Sequence, residues 1–332
     1  MTSIDLRTVS IKPLRHTFTH VARRIGGDKP ATRYQEGTFD VQAVENFHYR
    51  PTWDPEHEIF DARRTAIVMK DWYALKDPRQ FYYGTYTQAR ARQQETTESN
   101  FAFVESRGLA AALPEGVRQT ALDILLPLRH VAWGGNMNAA YICAYSYGTA
   151  ISQPHIYQAM DQLGIAQYLT RVGLLLADEV ALDQAKEQWM SDPKWQDLRR
   201  YVEDCFVLTD WFELFVAQNL VLDGLLYPLV YEHLVDDHLT LQGGSAIAML
   251  TQFMTDWAGE TAKWVDAQIK VAAAESADNK AQLTTWAQAW LARGVEALAP
   301  LAKHALGDQA DGVMAEVEQT LKARMTKAGL AV

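Results

Sequence analysis

From about residue 58 onward, apolar positions recur at intervals of three and four, the period of a helix with one face turned inward. In EIFDARRTAIVMKDWYAL, Ile59, Ala62, Ala66, Met69 and Tyr73 fall on one such face and predict a helix. Asp77 followed by Pro78 has the chemistry of a helix start, and Gly108 that of a stop. The segment between them predicts a helix of about 30 residues, about 45 Å long. Another begins at PEGVRQTALDILLPLRHVAWGGN, with Pro127 and Gly134-Gly135 as expected kinks. Further helices are expected over about 153–188, 193–240, 244–275, 278–304 and 309–328. Pro193, Gly243-Gly244, SADN at 276–279 and Gly307 punctuate them, with Ser245 expected to cap. Strand-like alternation and internal repeats are hard to find. Helices this long, against a mean near 12 residues in ordinary proteins, with such short joints, predict an antiparallel bundle.

Residues 1–57 follow no sustained period. They hold Pro13, Pro30, Pro51, Pro55 and Gly26-Gly27, yet also Phe18, Tyr34, Phe39, Phe47, Tyr49 and Trp53. Such a segment gains order by laying its rings on a surface, either its own domain or another chain. It is treated as an extended arm (1–57) on a single helical domain (58–332).

TDWFELFVAQNLVLDGLLYPLVYEHLVDDH, from Thr209 to His238, is almost wholly apolar but carries Asp210, Glu213, Asp223 and Glu232. A membrane span needs roughly 20 apolar residues with few charges. Gln218, Asn219 and Asp223 interrupt the middle, and an aspartate at the bilayer centre is costly. Apolar residues fall all round the helical wheel, so a helix buried on most sides is expected, kinked at Pro228. The chain has 332 residues, is 48% hydrophobic and 22% charged, and carries a net charge of −10, which speaks against a nucleic-acid binder. Cys143 and Cys205 lie in apolar helical patterns and predict packed thiols in a reducing cytoplasm. The first twenty residues have no apolar core of a secretory signal.

A bundle of long helices with buried acids raises the diiron carboxylate site, which needs Glu-x-x-His on each of two helices and a Glu from each of two others. Nine histidines make the test finite. Only Glu45 and His48 have the spacing, with Asp54 and His57 a related pair, and both lie in ENFHYRPTWDPEH, where Pro51 and Pro55 preclude one continuous helix. Two pairs on one stretch of arm cannot face each other across a bundle. His130 has no acid three residues before it, and the 244–275 helix contains no histidine. Glu213 is the plausible buried acid, and buried acids here are expected to pair with Arg, Lys or Tyr. A phosphate loop, a G-x-S-x-G elbow, a C-x-x-C pair and zinc spacing are all missing. No catalytic, cofactor-binding or metal residue is expected on this chain.

DPRQFYYGTYTQ (77–88) and SDPKWQDLRRYVEDCFVLTDWFELFVAQNLVLDGLL (191–226) resemble the β subunit of the hydroxylase in bacterial multicomponent diiron monooxygenases, the phenol hydroxylase branch above all. The order of an aromatic arm, the first motif and the second agrees along essentially the whole chain. The resemblance implies an all-α, ferritin-like fold and a non-catalytic structural subunit that supports a homologous α subunit holding the two irons. It implies a dimer of αβγ units, an NADH-dependent reductase with FAD and 2Fe-2S, and a regulatory protein. The implied chemistry, insertion of one oxygen atom into an aromatic C–H, belongs to the complex. A toluene- or alkene-type β subunit, a free-standing metalloenzyme with a carboxylate site near Glu213, and a scaffold unrelated to oxygenases are the other readings.

Overall fold

The structure is a computed structural model, which describes residues 17–27, 29–44 and 49–332. Among these no strand occurs, and long helices dominate. Two short helices come first, α1 (Thr19–Ile25) and α2 (Arg33–Thr38). The body comprises α3 (Tyr83–Ser106), α4 (Glu115–Leu125), α5 (Leu128–Tyr145), α6 (Thr149–Leu176), α7 (Glu179–Ser191) and α8 (Pro193–Cys205). It continues with α9 (Trp211–Leu239), α10 (Ser245–Glu275), α11 (Ala277–Leu306) and α12 (Ala310–Lys327). One hydrophobic core runs through the body, with Trp195, Trp211, Trp257 and Trp264 fully buried.

The helix boundaries follow local chemistry. Asp192 accepts a hydrogen bond from the Lys194 N–H at 3.0 Å, ahead of Pro193 in the first turn of α8. Asp210 accepts from the Phe212 and Glu213 N–H groups at 2.8 and 3.1 Å and so starts α9. Ser276 accepts from the Asn279 N–H at 3.1 Å at the start of α11. The α9 helix is long and apolar enough to cross a membrane, but 94% of its most apolar window is buried inside the protein. That burial is on protein, as its all-round apolar pattern requires.

Several sequence expectations are corrected. Residues 58–75 do not form a helix: they hold two single turns, Ala62–Arg64 and Trp72–Ala74. The backbone between them is satisfied by side chains remote in sequence. The Ala66 N–H donates to Asp210 at 2.7 Å, the Val68 N–H to Asn279 at 3.0 Å and the Lys70 N–H to Glu275 at 3.1 Å. Asp77-Pro78 does not start α3. Asp77 is taken by the backbone and guanidinium of Arg79, and Gln80 adopts φ +53, so the helix begins at Tyr83. Pro127 separates α4 from α5, whereas Gly134-Gly135 sit in unbroken helix. There the missing side chains admit neighbours: a Cβ at Gly134 would lie 2.5 Å from Val202 Cγ1 of α8. The helix expected over 153–188 is two, α6 and α7, divided where Asp178 caps Val180. Gly244, not Ser245, is the N-cap of α10, held by its N–H on the Leu239 carbonyl at 2.7 Å. Pro228 does not break α9. From Val216 to Leu222, and again from Pro228 to Leu239, the helix takes the wider π form, and Pro228 keeps helical dihedrals of −61° and −45°.

The first half of the arm lies on its own body. Val21 and Phe39 are buried with Tyr73 and Ala150, and the Tyr34 hydroxyl accepts the Asp77 N–H at 2.8 Å. Arg24 forks onto Asp40 and Asp71. Tyr49 and Trp53 stay largely exposed, at 70% and 61%.

Candidate functional site in the bundle interior

Five helices, α3, α5, α6, α9 and α10, direct polar side chains into the otherwise apolar interior. On α6, Gln158, Asp161 and Gln162 share a face with Ile165 and Leu169, so the helix that buries the latter also buries the acid. Asp161 is the most heavily hydrogen-bonded group of this interior. Its Oδ1 accepts from Arg90 Nε at 2.8 Å and the Tyr86 hydroxyl at 2.9 Å. Its Oδ2 accepts from Arg90 Nη2 at 2.8 Å and Trp257 Nε1 at 3.0 Å. Arg90 continues to Glu260 at 3.0 Å, and Glu260 lies 3.5 Å from Arg79, which itself forks onto buried Asp77. The result is a ladder of alternating charge, Asp77–Arg79–Glu260–Arg90–Asp161, across the α3–α6–α10 side of the bundle. Burial and the neighbouring Asp161 push the Tyr86 phenol well above its ordinary range, so it stays a donor.

The second acid, Asp223, sits on α9 one residue beyond the first π segment. Its Oδ1 accepts from Gln218 at 2.9 Å and its Oδ2 from Asn219 at 3.1 Å, while Gln218 accepts from Asn138 of α5 at 2.8 Å. Amide donors compensate less than a cation does, and burial pushes the Asp223 carboxyl up to about 7. Tyr227 joins the two clusters, its ring 4.8 Å from Trp257 and its hydroxyl 3.4 Å from Gln162. His155 is wholly buried between Phe215 and Trp264, with Nδ1 2.6 Å from the Ile151 carbonyl. Burial pushes it down to about 3, so it is neutral.

The residues singled out in the sequence lie elsewhere. Glu45 and His48 fall outside the described residues. His57 and Asp54 stand 2.9 Å apart in the arm, and Arg64 shares Asp54 at 2.7 Å, an ion cluster on the outside of the body. Glu213 is half-buried in the first turn of α9 and accepts from the Trp290 indole at 3.0 Å, so its partner is neither of the expected cations nor a tyrosine. His130 stacks on Trp189, and burial pushes it down to about 4. Cys205 is buried and Cys143 partly so, and neither forms a disulfide. Sequence reasoning missed Asp161 and Arg90, although the Gln158–Asp161–Gln162 face merging into Ile165 and Leu169 carried the signal.

A profile of the methane/phenol/alkene hydroxylase family matches residues 53–276. The chain belongs to that family. The oxygenase component DmpL of phenol 2-monooxygenase from Pseudomonas sp. (strain CF600) is 52% identical over 330 residues, spanning 99% of this chain and 98% of DmpL. The β subunit of the hydroxylase component of the toluene-4-monooxygenase system of Ectopseudomonas mendocina is 25% identical over 85% of this chain and 87% of that one. Among solved structures, xenon-pressurised phenol hydroxylase from Pseudomonas sp. OX1 superposes with a TM-score of 0.91 at 47% identity, covering 98% of both chains. The chain is thus a ferritin-like, hydroxylase-type subunit of a multicomponent monooxygenase of the phenol hydroxylase type.

The family is of the diiron hydroxylase type, and the interior residues do not fit two irons. Both oxygens of Asp161 are already filled, two donors on each, and the guanidinium of Arg90 puts a positive charge where a cation would have to bind. Asp223 is ringed by amides. Among the described residues no three of His, Cys, Asp and Glu come together as a metal-binding group.

Proposed function

We propose that this chain is the non-catalytic β subunit of a phenol-hydroxylating diiron monooxygenase, supporting a homologous α subunit that holds both irons. The observation that carries the reading is Arg90: a fixed cation and two neutral donors saturate the one carboxylate at the centre of the fold. A positively charged plug of this kind keeps the ferritin-like shape and dispenses with metal. The phenol specificity is taken from DmpL, and the β role from the toluene-4-monooxygenase relative, whose printed names state them. The full assembly in this reading is a cytoplasmic dimer of αβγ units served by a regulatory protein and an NADH-dependent FAD and 2Fe-2S reductase.

A second observation supports a subunit that is incomplete alone. Trp133 and Met137 on α5, and Ile156, Met160 and Leu163 on α6, project large apolar side chains to the outside at one level of an adjacent helix pair. Gly135 approaches Gln162 and Asn136 donates to the Ala159 carbonyl at 2.7 Å, which brings the two stripes side by side. A contiguous apolar patch of this size marks a protein interface. The α subunit is its occupant in this reading, with the exposed Tyr49 and Trp53 of the 1–57 arm as a further hold. Elemental analysis is the test. The purified αβγ assembly should contain two irons per α and β pair, all retained by α when the chains are separated; stoichiometric iron on this chain overturns the proposal. Removal of residues 1–57 should abolish co-purification with α.

A further inference from the structure

A cavity of about 300 Å³ opens between α9, α10 and α12, away from the charge ladder and the exposed α5–α6 face. Its walls are apolar, with Trp257 and Pro228 on two sides and Val317 and Leu321 of α12 on a third. Its lining carries two opposite charges, the buried Asp223 carboxyl and the Arg324 guanidinium, which is itself paired with Asp266 at 2.9 Å. Gly224 makes the room: a Cβ there would lie 2.9 Å from Leu321 and 3.3 Å from Arg324 Nη1. Asn219 and Thr261, on the same wall, each keep a buried side-chain oxygen without a partner among the described residues, so this wall is short of donors. At the rim stand Glu232 and Glu316.

We propose that this cavity binds a small uncharged alcohol with a ring-sized apolar body, such as a simple phenol. The charges select the class. An ammonium would meet Arg324, and a carboxylate would meet Asp223 and the two rim glutamates. A hydroxyl donates to Asp223 and accepts from Arg324, so it satisfies both, while the ring lies against Trp257 and Leu321. The volume is at the lower end of small-molecule sites and suits a ligand of this size. The site is separate from any iron centre and does not depend on which subunit holds the metal.

Three bromine-labelled probes of similar shape test it on crystals of the intact assembly: 4-bromophenol, 4-bromobenzylamine and 4-bromobenzoate. The anomalous map should place bromine in the α9–α10–α12 cavity for the phenol alone. In solution, fluorine NMR of 4-fluorophenol should show binding that weakens by at least about tenfold in Ala262→Leu, which narrows the cavity, and in Thr320→Trp, which closes its exposed side. No bromine in the cavity, preference for the amine or the acid, or binding unchanged in both variants overturns the proposal. Bromine found only at a partner's active site overturns it equally.

Discussion

Arg90 on α3 grips Asp161 on α6 with both arms of its guanidinium, Nε and Nη2 each 2.8 Å from a carboxylate oxygen. The pair is buried, so each charge depends on the other. Arg90→Met leaves Asp161 an uncompensated buried acid and should cost about 3–5 kcal/mol. The double variant Arg90→Met with Asp161→Leu removes both charges and should recover a large part of that loss. Chemical denaturation of the three variants measures it; additive losses in the double variant would disprove the coupling.

Asp223 makes stability depend on pH. Its carboxyl holds a proton up to about 7 in the folded chain, whereas an unfolded aspartate releases it near 3.9. Between those values the folded state binds the extra proton, so stability falls as pH rises, by up to roughly 4 kcal/mol in total. Asp223→Asn cannot ionise and should lack that fall. Urea midpoints of both proteins at about pH 5 and pH 7.5 decide the matter, and parallel losses would assign the effect to another group.

Two glycines should answer oppositely to alanine. At Gly164 a new Cβ meets nothing within 4 Å, so Gly164→Ala should stabilise α6 by up to about 1 kcal/mol. At Gly134 the new Cβ would strike the β-branched Val202, and the resulting strain, about 1–3 kcal/mol, should exceed the gain in helix propensity. Thermal melts of the pair give the comparison; stabilisation by both would mean that α5 and α8 separate at little cost.

The exposed stripe on α5 and α6 should matter for assembly and not for folding. Met137→Arg with Met160→Glu places opposite charges on a surface already open to solvent, at 46% and 54% exposure. The melting temperature of the chain should stay within a few degrees, a change of about 0.5 kcal/mol or less. Co-purification with the diiron subunit should drop at least about tenfold. Unchanged recovery of the complex would move the interface elsewhere.

What the sequence made legible was local. Asp192-Pro193, Ser276 and Pro127 mark helix ends because caps and prolines act within a few residues, and those boundaries stand. Residues 58–75 misled because their periodicity is compatible with a helix, while the groups that hold them extended, Asp210, Glu275 and Asn279, lie up to 211 positions away. Glu213 drew attention through its apolar neighbours, yet a residue in the first turn of a helix has free N–H groups and a boundary beside it, and it stays half-exposed. Asp161 was hidden for the opposite reason: its partners come from α3 and α10, and no pattern along α6 names them.

The π segment from Val216 to Leu222 has a consequence for how this chain tolerates change in length. A helix that bonds to the fifth residue carries one residue more than its α-helical counterpart over the same turn. Loss of one residue here would restore the α-helical register and rotate everything after it by about 100°. Asp223 would swing away from Gln218 and Asn219, and Tyr227 from Trp257, although both amides and both rings would still be present. The interior is therefore encoded in phase as much as in residue identity, and a single-residue deletion in α9 should be more damaging than any substitution within it.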